Sequence, residues 1–206
     1  KGISAFILER GFKGLSVGKN ELKMGMHGCT TAPVIMQDCE VPAENLLGPE
    51  GMGFVQALKT LTAGRVTVAA RCCGMMDKLI SRSADYMKVR SQGGHKLAEY
   101  QGLQWMLADM AVQRDAARLL TRRGIDTLMR GERGTLEAAM AKLYATEAAT
   151  WVTHQAIQIH GGYGYVKEYA VERFYRDARI MEIYEGASEI QRLVIARSLL
   201  KDGVRS

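Results

Sequence analysis

The chain has 206 residues, of which 47% are hydrophobic and 24% charged, and this is the balance of a globular protein rather than of a disordered or fibrous one. Its 28 Lys and Arg against 22 Asp and Glu give a net charge of +6, which is spread along the chain without the basic run of a nucleic-acid-binding arm. The sequence has no apolar run near the roughly 20 residues of a transmembrane helix, so it predicts neither a nucleic-acid partner nor a membrane span.

Residues 1–48 have the alternation and the turn residues that are typical of β-structure. We predict strands at residues 3–8 and 33–38. Because this is too little sequence for a stable sheet sandwich, we interpret residues 1–48 as the second half of a β-domain. The sequence begins with lysine and not with methionine, and we expect it to be a fragment or a processed product.

Residues 49–206 change to an apolar period of about 3.6 residues, which predicts amphipathic helices. The first helix is expected to run to about residue 90 and the second to about residue 130. A third is predicted at 135–160, a short irregular helical stretch at 169–182, and a last helix follows it. Four long helices joined by short turns indicate a mainly α fold, a helical bundle behind a partial β-domain. The first helix carries an apolar stripe of Phe54, Leu58, Leu61, Val68, Ala69 and Cys72.

Two arginines interrupt apolar stripes of the predicted bundle. Arg65 lies on the stripe of the first helix, and Arg197 lies on the stripe that Ile190, Leu193, Val194 and Leu200 form in the last helix. A buried arginine needs an anionic partner, because an unpaired charge in a core is very costly. Either arginine alone also fits a side chain that reaches water from the stripe edge, or a structural ion pair. The two together favour an anion-binding or catalytic cleft.

Glu185 is the carboxylate that such a cleft would use. It lies at the junction into the last helix, between Tyr184 and Gly186. A carboxylate in an apolar pocket suits general base catalysis, because burial favours its neutral form. The alternative is an acidic residue that interacts with the helix dipole, with Ser188 and Glu189 serving as caps.

Other motifs do not support a site of their own. Residues 14–18 match the G-x-S-x-G pattern, but the helix that must follow a nucleophilic Ser16 is missing from the predicted elements. Residues 160–164 are glycine-rich without being a P-loop, so they fit either a phosphate contact or a helix-ending turn. The four histidines lack metal-ligand spacing, and we predict no metal site.

Three segments resemble the acyl-CoA dehydrogenase family, and the resemblance extends along essentially the whole chain. Residues 158–164 are QIHGGYG, residues 171–179 are VERFYRDAR, and residues 183–191 are IYEGASEIQ. The chain is similar to the C-terminal half of such a flavoprotein. The resemblance implies an FAD-dependent enzyme of fatty acid β-oxidation that converts an acyl-CoA to the trans-2-enoyl-CoA. It also implies an electron-transfer flavoprotein as acceptor and a homo-oligomer (a tetramer or a dimer of dimers). Bacterial cytoplasm and mitochondrial matrix both fit, and we expect the former.

The resemblance assigns residue roles as well. A glutamate takes the α-proton while the β-hydrogen leaves as hydride to N5 of FAD, and this base falls on Glu185. One branch of the family carries its base directly before the motif arginine, where this chain has Gly64. The implied substrate-binding residues are Arg65, Thr62, Tyr184, Gly186 and Arg197. The implied cofactor-binding residues are Arg90, Gln101, Gln158, Gly161, Gly162, Ala187, Ser188 and Glu189.

The sequence departs from the family pattern at several points. Thr62 stands where aspartate is common, Ala187 where threonine is common, and residues 90–94 lack the usual aromatic residue. Family members are about twice as long, so we expect this chain alone to bind FAD weakly or not at all. Two other hypotheses stay open, a non-catalytic oligomerisation module of the same fold and an acyl-CoA oxidase-type flavoprotein.

Overall fold

The computed structural model describes residues 2–202 and divides them into two compact units, one up to Leu61 and one from Thr62. The division lies inside the first long helix. Compact units and folding domains need not coincide, so the boundary expected after residue 48 stays a prediction.

Helices dominate the described chain, as the sequence predicts. The long helices begin and end within a few residues of their predicted limits, and short 3-10 turns cover Gly161–Tyr165 and Arg179–Glu182. In chain order the elements of residues 2–202 are β1 Leu15–Val17, β2 Val34–Met36, α1 Gly53–Val89, β3 Ser91–Gln92, β4 His95–Lys96, α2 Gln101–Met129, α3 Thr135–His160, α4 Val171–Ala178 and α5 Ser188–Asp202.

The first unit contains a two-stranded antiparallel sheet, in which Ser16 of β1 faces Ile35 of β2. Ser16 therefore lies in a strand and not at a strand-to-helix turn. The strand predicted at residues 3–8 is wrong, since only an isolated bridge between Phe6 and Leu46 forms there. The partner segment coils into a 3-10 turn at Ala43–Asn45, and this limits the ladder.

The second unit is organised around α3. This helix packs against α2, α4 and α5, and its buried side is formed largely by alanines, whose small side chains allow neighbouring backbones to approach closely. The end of α2 fixes the turn into α3. Gly131 has a φ of +75° and donates to the Leu128 carbonyl, while the Glu132 amide donates to the Thr127 carbonyl, which is a Schellman cap.

Side chains of α1 and α2 join these two helices. In the core, Val66 of α1 lies against Gly124 of α2, and Cys73 contacts Thr121. At the edge of this contact, Asp77 of α1 accepts hydrogen bonds from Arg114 and Arg118 of α2. None of the helices within residues 2–202 is both long and apolar enough to cross a membrane.

The stripe predicted for the last helix is not its buried side. Ile190, Leu193 and Leu200 are exposed, whereas Gln191 is completely buried. The buried side of α5 carries Gln191, whose side chain reaches the loop before the helix. Hydrogen bonding, and not the period of the apolar residues, therefore sets the orientation of α5. On α1 the stripe is buried at Val68, Ala69 and Cys72, while Phe54 and Leu58 at its start are exposed.

Leu79 of α1 tests the contribution of this core to stability. Its side chain is 0% exposed, so Leu79→Ala should lower the free energy of unfolding by about 2–5 kcal/mol, measured by chemical denaturation. Leu22 is 98% exposed, and Leu22→Ala should change the same quantity by less than about 0.5 kcal/mol. Equal losses in the two variants would contradict the assignment of the core.

Candidate functional site

The loop between the 3-10 turn Arg179–Glu182 and α5 carries Glu185 in an unusual backbone conformation. Glu185 has a φ of +56° and Gly186 a φ of +93°. A non-glycine residue in the left-handed region costs about 1–3 kcal/mol and persists only where its surroundings hold it. The structure must therefore contain groups that fix this loop.

Three side chains donate hydrogen bonds to the carbonyl groups of the loop. Gln191 Nε2 donates to the carbonyls of Gly186, at 2.8 Å, and Glu185, at 3.3 Å. Arg65 Nε lies 3.5 Å from the Glu185 carbonyl. Lys142 Nζ donates to the carbonyls of Gly186, at 2.9 Å, and Glu182, at 3.1 Å. All three donors are buried, and they come from α5, α1 and α3 respectively.

The carboxylate of Glu185 lies against the backbone of α1 at Gly64. A Cβ placed on Gly64 would lie 2.8 Å from Glu185 Oε2 and 3.2 Å from its Cδ, so the absence of a side chain at this position makes the space that the carboxylate occupies. Oε2 is buried and has no hydrogen-bond partner within residues 2–202. Because buried polar atoms are almost always paired, this oxygen fits a group that takes or gives a proton to a bound ligand.

Burial shifts several ionisable groups around the loop. It lowers the pKa of Arg65, and the nearby Glu185 carboxylate opposes that shift. It also lowers the pKa of Lys142, with Cys72 and Glu182 acting in the opposite direction. The site thus combines cationic side chains with carboxylates in a region of restricted solvent, where each interaction is stronger than in water.

Tyr184 is held by two contacts of its hydroxyl group. Its Oη accepts a hydrogen bond from Arg71 Nη1 at 3.0 Å and lies 2.8 Å from Met181 Sδ, to which it donates. Burial raises the pKa of this hydroxyl. The ring directly before Glu185 is therefore fixed to α1 and to the preceding 3-10 turn.

A second cluster surrounds a cavity of about 570 Å³ where α1 and α3 end. Arg90 lies at its edge, with its guanidinium carbon 5.1 Å from the centre of the Tyr163 ring, and Arg90 takes part in none of the ion pairs of residues 2–202. An arginine that lies beside glycine backbone and has no carboxylate partner among these residues fits an anionic group such as a phosphate. Four residues expected to bind the cofactor line this cavity, namely Arg90, Gln158, Gly161 and Gly162.

His160 forms the inner wall of this cavity. Its ring stacks on Tyr86 with 4.3 Å between ring centres, and its Nδ1 lies 2.8 Å from the Ala156 carbonyl. Burial lowers the pKa of His160. No group of three or more His, Cys, Asp or Glu within residues 2–202 could hold a metal ion.

The other predicted site residues lie at the start of α5, on α1 and at the start of α2. Ser188 begins α5 after Ala187, and its Oγ is buried without a hydrogen-bond partner among the described residues. Thr62 is buried one turn before Arg65. Gln101 and Glu189 are exposed, the first at the start of α2 and the second in the first turn of α5.

Arg197 departs from the expectation of a buried arginine. It is exposed, and it lines a different cavity of about 500 Å³ together with Arg133 and Lys201. The prediction that Arg197 interrupts a buried stripe is wrong, because that side of α5 faces outward. The structure does not bring Arg197 together with Arg65 and Glu185.

Sequence reasoning missed Lys142 and Gln191. Lys142 had a signal of the same kind as Arg65, since it is a charged residue on the alanine-rich side of α3, surrounded at helical spacing by Ala138, Ala139, Ala145 and Thr146. Gln191 had none, because its neighbours on α5 suggested a different buried side.

Comparison with known proteins gives consistent matches along the chain. A family model described as acyl-CoA dehydrogenase, C-terminal domain, matches residues 51–200. The mitochondrial short-chain specific acyl-CoA dehydrogenase of Sus scrofa is 51% identical over 203 residues. The caffeyl-CoA reductase-Etf complex subunit CarC of Acetobacterium woodii is 46% identical over 201 residues.

The chain spans about half the length of the curated relatives it matches. Both alignments cover 98% of this chain, but 49% of the Sus scrofa protein and 53% of the Acetobacterium woodii protein. Among solved structures, butyryl-CoA dehydrogenase from Megasphaera elsdenii is similar with a TM-score of 0.94 and 45% identity, over 97% of this chain and 52% of that one.

The buried ring of His160 predicts a pH dependence of stability. The pKa of His160 in the folded state is below the ordinary value of 6.5. As the pH falls below 6.5, the ring therefore takes up a proton in the unfolded chain before it does so in the folded chain. The free energy of unfolding should therefore decrease with falling pH in that range. His160→Gln should reduce this decrease, measured by denaturation between about pH 8 and pH 5.

The control for this experiment is His154→Gln, since that ring lies on the exposed side of the same helix. An equal change in slope for the two variants would show that burial of His160 is not the cause.

Proposed function

The chain belongs to the acyl-CoA dehydrogenase family, and on that premise we propose that the complete protein removes a proton and a hydride from the α- and β-carbons of an acyl-CoA, giving the trans-2-enoyl-CoA. The observation that carries this proposal is the buried Oε2 of Glu185, which has no hydrogen-bond partner among the described residues and lies against Gly64. The relatives are oxidoreductases and FAD is the cofactor of the family.

Glu185 acts as the base in this proposal. The α-C–H of a thioester is a weak acid, so the reaction needs a fixed carboxylate with little competing water. The α-proton passes to Oε2, and the C–H bonding electrons move into the new double bond as hydride leaves the β-carbon. FAD, when bound, supplies the acceptor for that hydride.

The residues around Glu185 have proposed roles in holding the substrate. The Gly186 backbone and the fixed ring of Tyr184 border the carboxylate, and the buried guanidinium of Arg65 places a positive charge beside it. Thr62 supplies a hydroxyl one turn earlier on α1. For Arg197, a contact with the anionic CoA portion is supported by the cavity that it lines, where Arg133 and Lys201 add positive charge and outnumber, together with Arg197, the carboxylates of Glu132 and Glu137.

Two groups of residues fit parts of FAD. Arg90, Gln158 and the Gly161–Gly162 backbone fit phosphate and ribose, because the cavity combines the guanidinium of Arg90, which forms no ion pair within residues 2–202, with polar and side-chain-free surfaces. Ser188 has a buried Oγ in need of a partner, and we propose that the segment from Ala187 to Glu189 lies against the cofactor. Gln101 is proposed as a further contact from the start of α2.

A second candidate function is the reverse reaction, reduction of a 2-enoyl-CoA. The relative from Acetobacterium woodii, which is named a caffeyl-CoA reductase, supports it. By microscopic reversibility Glu185 would then give its proton to the α-carbon. Incubation with an acyl-CoA and with the matching enoyl-CoA plus reductant distinguishes the directions by their rates.

Partners and location remain proposals. The name of the Acetobacterium woodii complex supports an electron-transfer flavoprotein as redox partner. A homo-oligomer is supported by α2, where the exposed Trp105, Val112 and Leu119 recur every seven residues. A bacterial cytoplasmic location remains an expectation.

Replacement of Glu185 tests the base directly. Glu185→Gln keeps the size of the side chain and removes its ability to take a proton, so in the FAD-loaded complete protein anaerobic bleaching of the flavin by a short-chain acyl-CoA should slow by roughly 10²–10⁴-fold. Glu147→Gln is the control, since Glu147 pairs with Arg192 at the surface. Bleaching at the wild-type rate in Glu185→Gln would overturn the proposed role.

Gly64 and Gly74 of α1 provide a test position and its control. Gly64→Ala should displace the Glu185 carboxylate and slow bleaching by about 10²-fold, the cost of a displacement near 1 Å. Gly74 has no atom within 4 Å of an added Cβ, so Gly74→Ala should keep the rate and raise the free energy of unfolding by up to about 1 kcal/mol. If both variants keep the rate, the close approach at Gly64 has no catalytic consequence.

A further inference from the structure

We propose that Lys142 is a positioning residue for Glu185, acting by joining the two ends of the loop that carries it. This inference rests on the proposed function, because it assigns to Lys142 a role in the reaction of Glu185. Lys142 does not touch the reacting carboxylate in this proposal. It fixes the backbone from which that carboxylate projects.

The hydrogen bonds of Lys142 bracket the base in the sequence. Its Nζ donates to the carbonyl of Glu182, three residues before Glu185, and to the carbonyl of Gly186, one residue after it. One side chain therefore sets the separation between the end of the 3-10 turn and the start of α5. Between these two points lies Glu185 with its positive φ.

The other donors to the loop do not make this connection. Among the described residues of the loop, Gln191 donates to the carbonyls of Glu185 and Gly186, and Arg65 donates to that of Glu185. The Gly186 carbonyl keeps one donor without Lys142, whereas the Glu182 carbonyl loses the donor that ties it to the loop. Loss of Lys142 should thus loosen the loop at Glu182, where the contacts of the Tyr184 hydroxyl with Arg71 and Met181 remain, while Gln191 still holds its C-terminal side.

Burial of the Lys142 amine costs free energy of desolvation. The side chain is 0% exposed, so desolvation of the amine opposes folding and offsets much of what its two hydrogen bonds contribute to stability. The neutral amine of Lys142 has two N–H groups and the ammonium has three, so either protonation state can donate to both carbonyls. The inference is therefore that Lys142 contributes to the geometry of the loop more than to the stability of the bundle.

The test compares Lys142→Met with Thr146→Val in the FAD-loaded complete protein. Methionine keeps the length of the side chain and removes both donors. Thr146 is also fully buried on α3, one turn later, but its hydroxyl donates only to carbonyls of its own helix. Three quantities are measured for each variant, the bleaching rate with a short-chain acyl-CoA, the Kd of that acyl-CoA, and amide hydrogen exchange of residues 180–190.

Lys142→Met is expected to slow bleaching by roughly 10–100-fold, as a small misplacement of the base would. It should change Kd by less than about 3-fold, because the loss concerns the reaction step, and it should speed exchange in residues 180–190. Thr146→Val should leave rate, Kd and exchange in this segment at wild-type values. A wild-type rate in Lys142→Met, unchanged exchange, or equal losses in the two variants would overturn the proposal.

Failure of the proposed function gives a different result. If the wild-type protein does not bleach and Glu185→Gln does not differ from it, the assigned reaction is wrong whatever Lys142 does. If the wild-type protein bleaches, Glu185→Gln does not, and Lys142→Met bleaches normally, the reaction stands and the role of Lys142 is wrong.

Discussion

Three backbone carbonyl groups, those of Glu182, Glu185 and Gly186, accept hydrogen bonds from buried side chains of three different helices. The loop between them cannot satisfy these carbonyls itself, because Glu185 and Gly186 leave the helical region of backbone space. The site is therefore not a property of the loop. It exists only where α1, α3 and α5 meet, and this explains why the bundle is needed to present a single carboxylate.

Charge balance follows from the same arrangement. Burial lowers the pKa of Lys142 and repulsion by Arg65 adds to that effect, while Cys72, Glu182 and Glu185 act in the opposite direction. Two cations and two carboxylates thus share a small volume with little water. Removing one member leaves the others without compensation, which is more costly inside a protein than at its surface. The alanines of α3 allow this cluster to form, because they let the neighbouring helices approach the lysine from both sides.

The sequence allowed the fold and the family to be predicted, since apolar period and glycine-rich turns mark α1, α2 and α3, and three segments carry the family pattern, which the comparisons confirm. It failed where polar contacts determine orientation. The apolar residues of α5 suggested the wrong buried side, because Gln191 is drawn inward by two carbonyls that no sequence period can indicate. The strand expected at residues 3–8 failed because its partner coils into a turn. Glu185 was predicted as a base from its place at the junction into the last helix and then from the family motif, whereas the space for it at Gly64 required coordinates.

The contact between Gly64 and Glu185 also constrains how this sequence can change. The two positions are 121 places apart in the chain, yet a side chain at the first and a carboxylate at the second compete for one volume. Substitutions at the two positions should therefore be epistatic: a side chain at residue 64 displaces the carboxylate at residue 185, and it has no such effect once the side chain at residue 185 is small. A lineage that moved its base from one helix to the other would pass through a state with both positions small, and so without a base, or through a state with both occupied, and so with a displaced carboxylate.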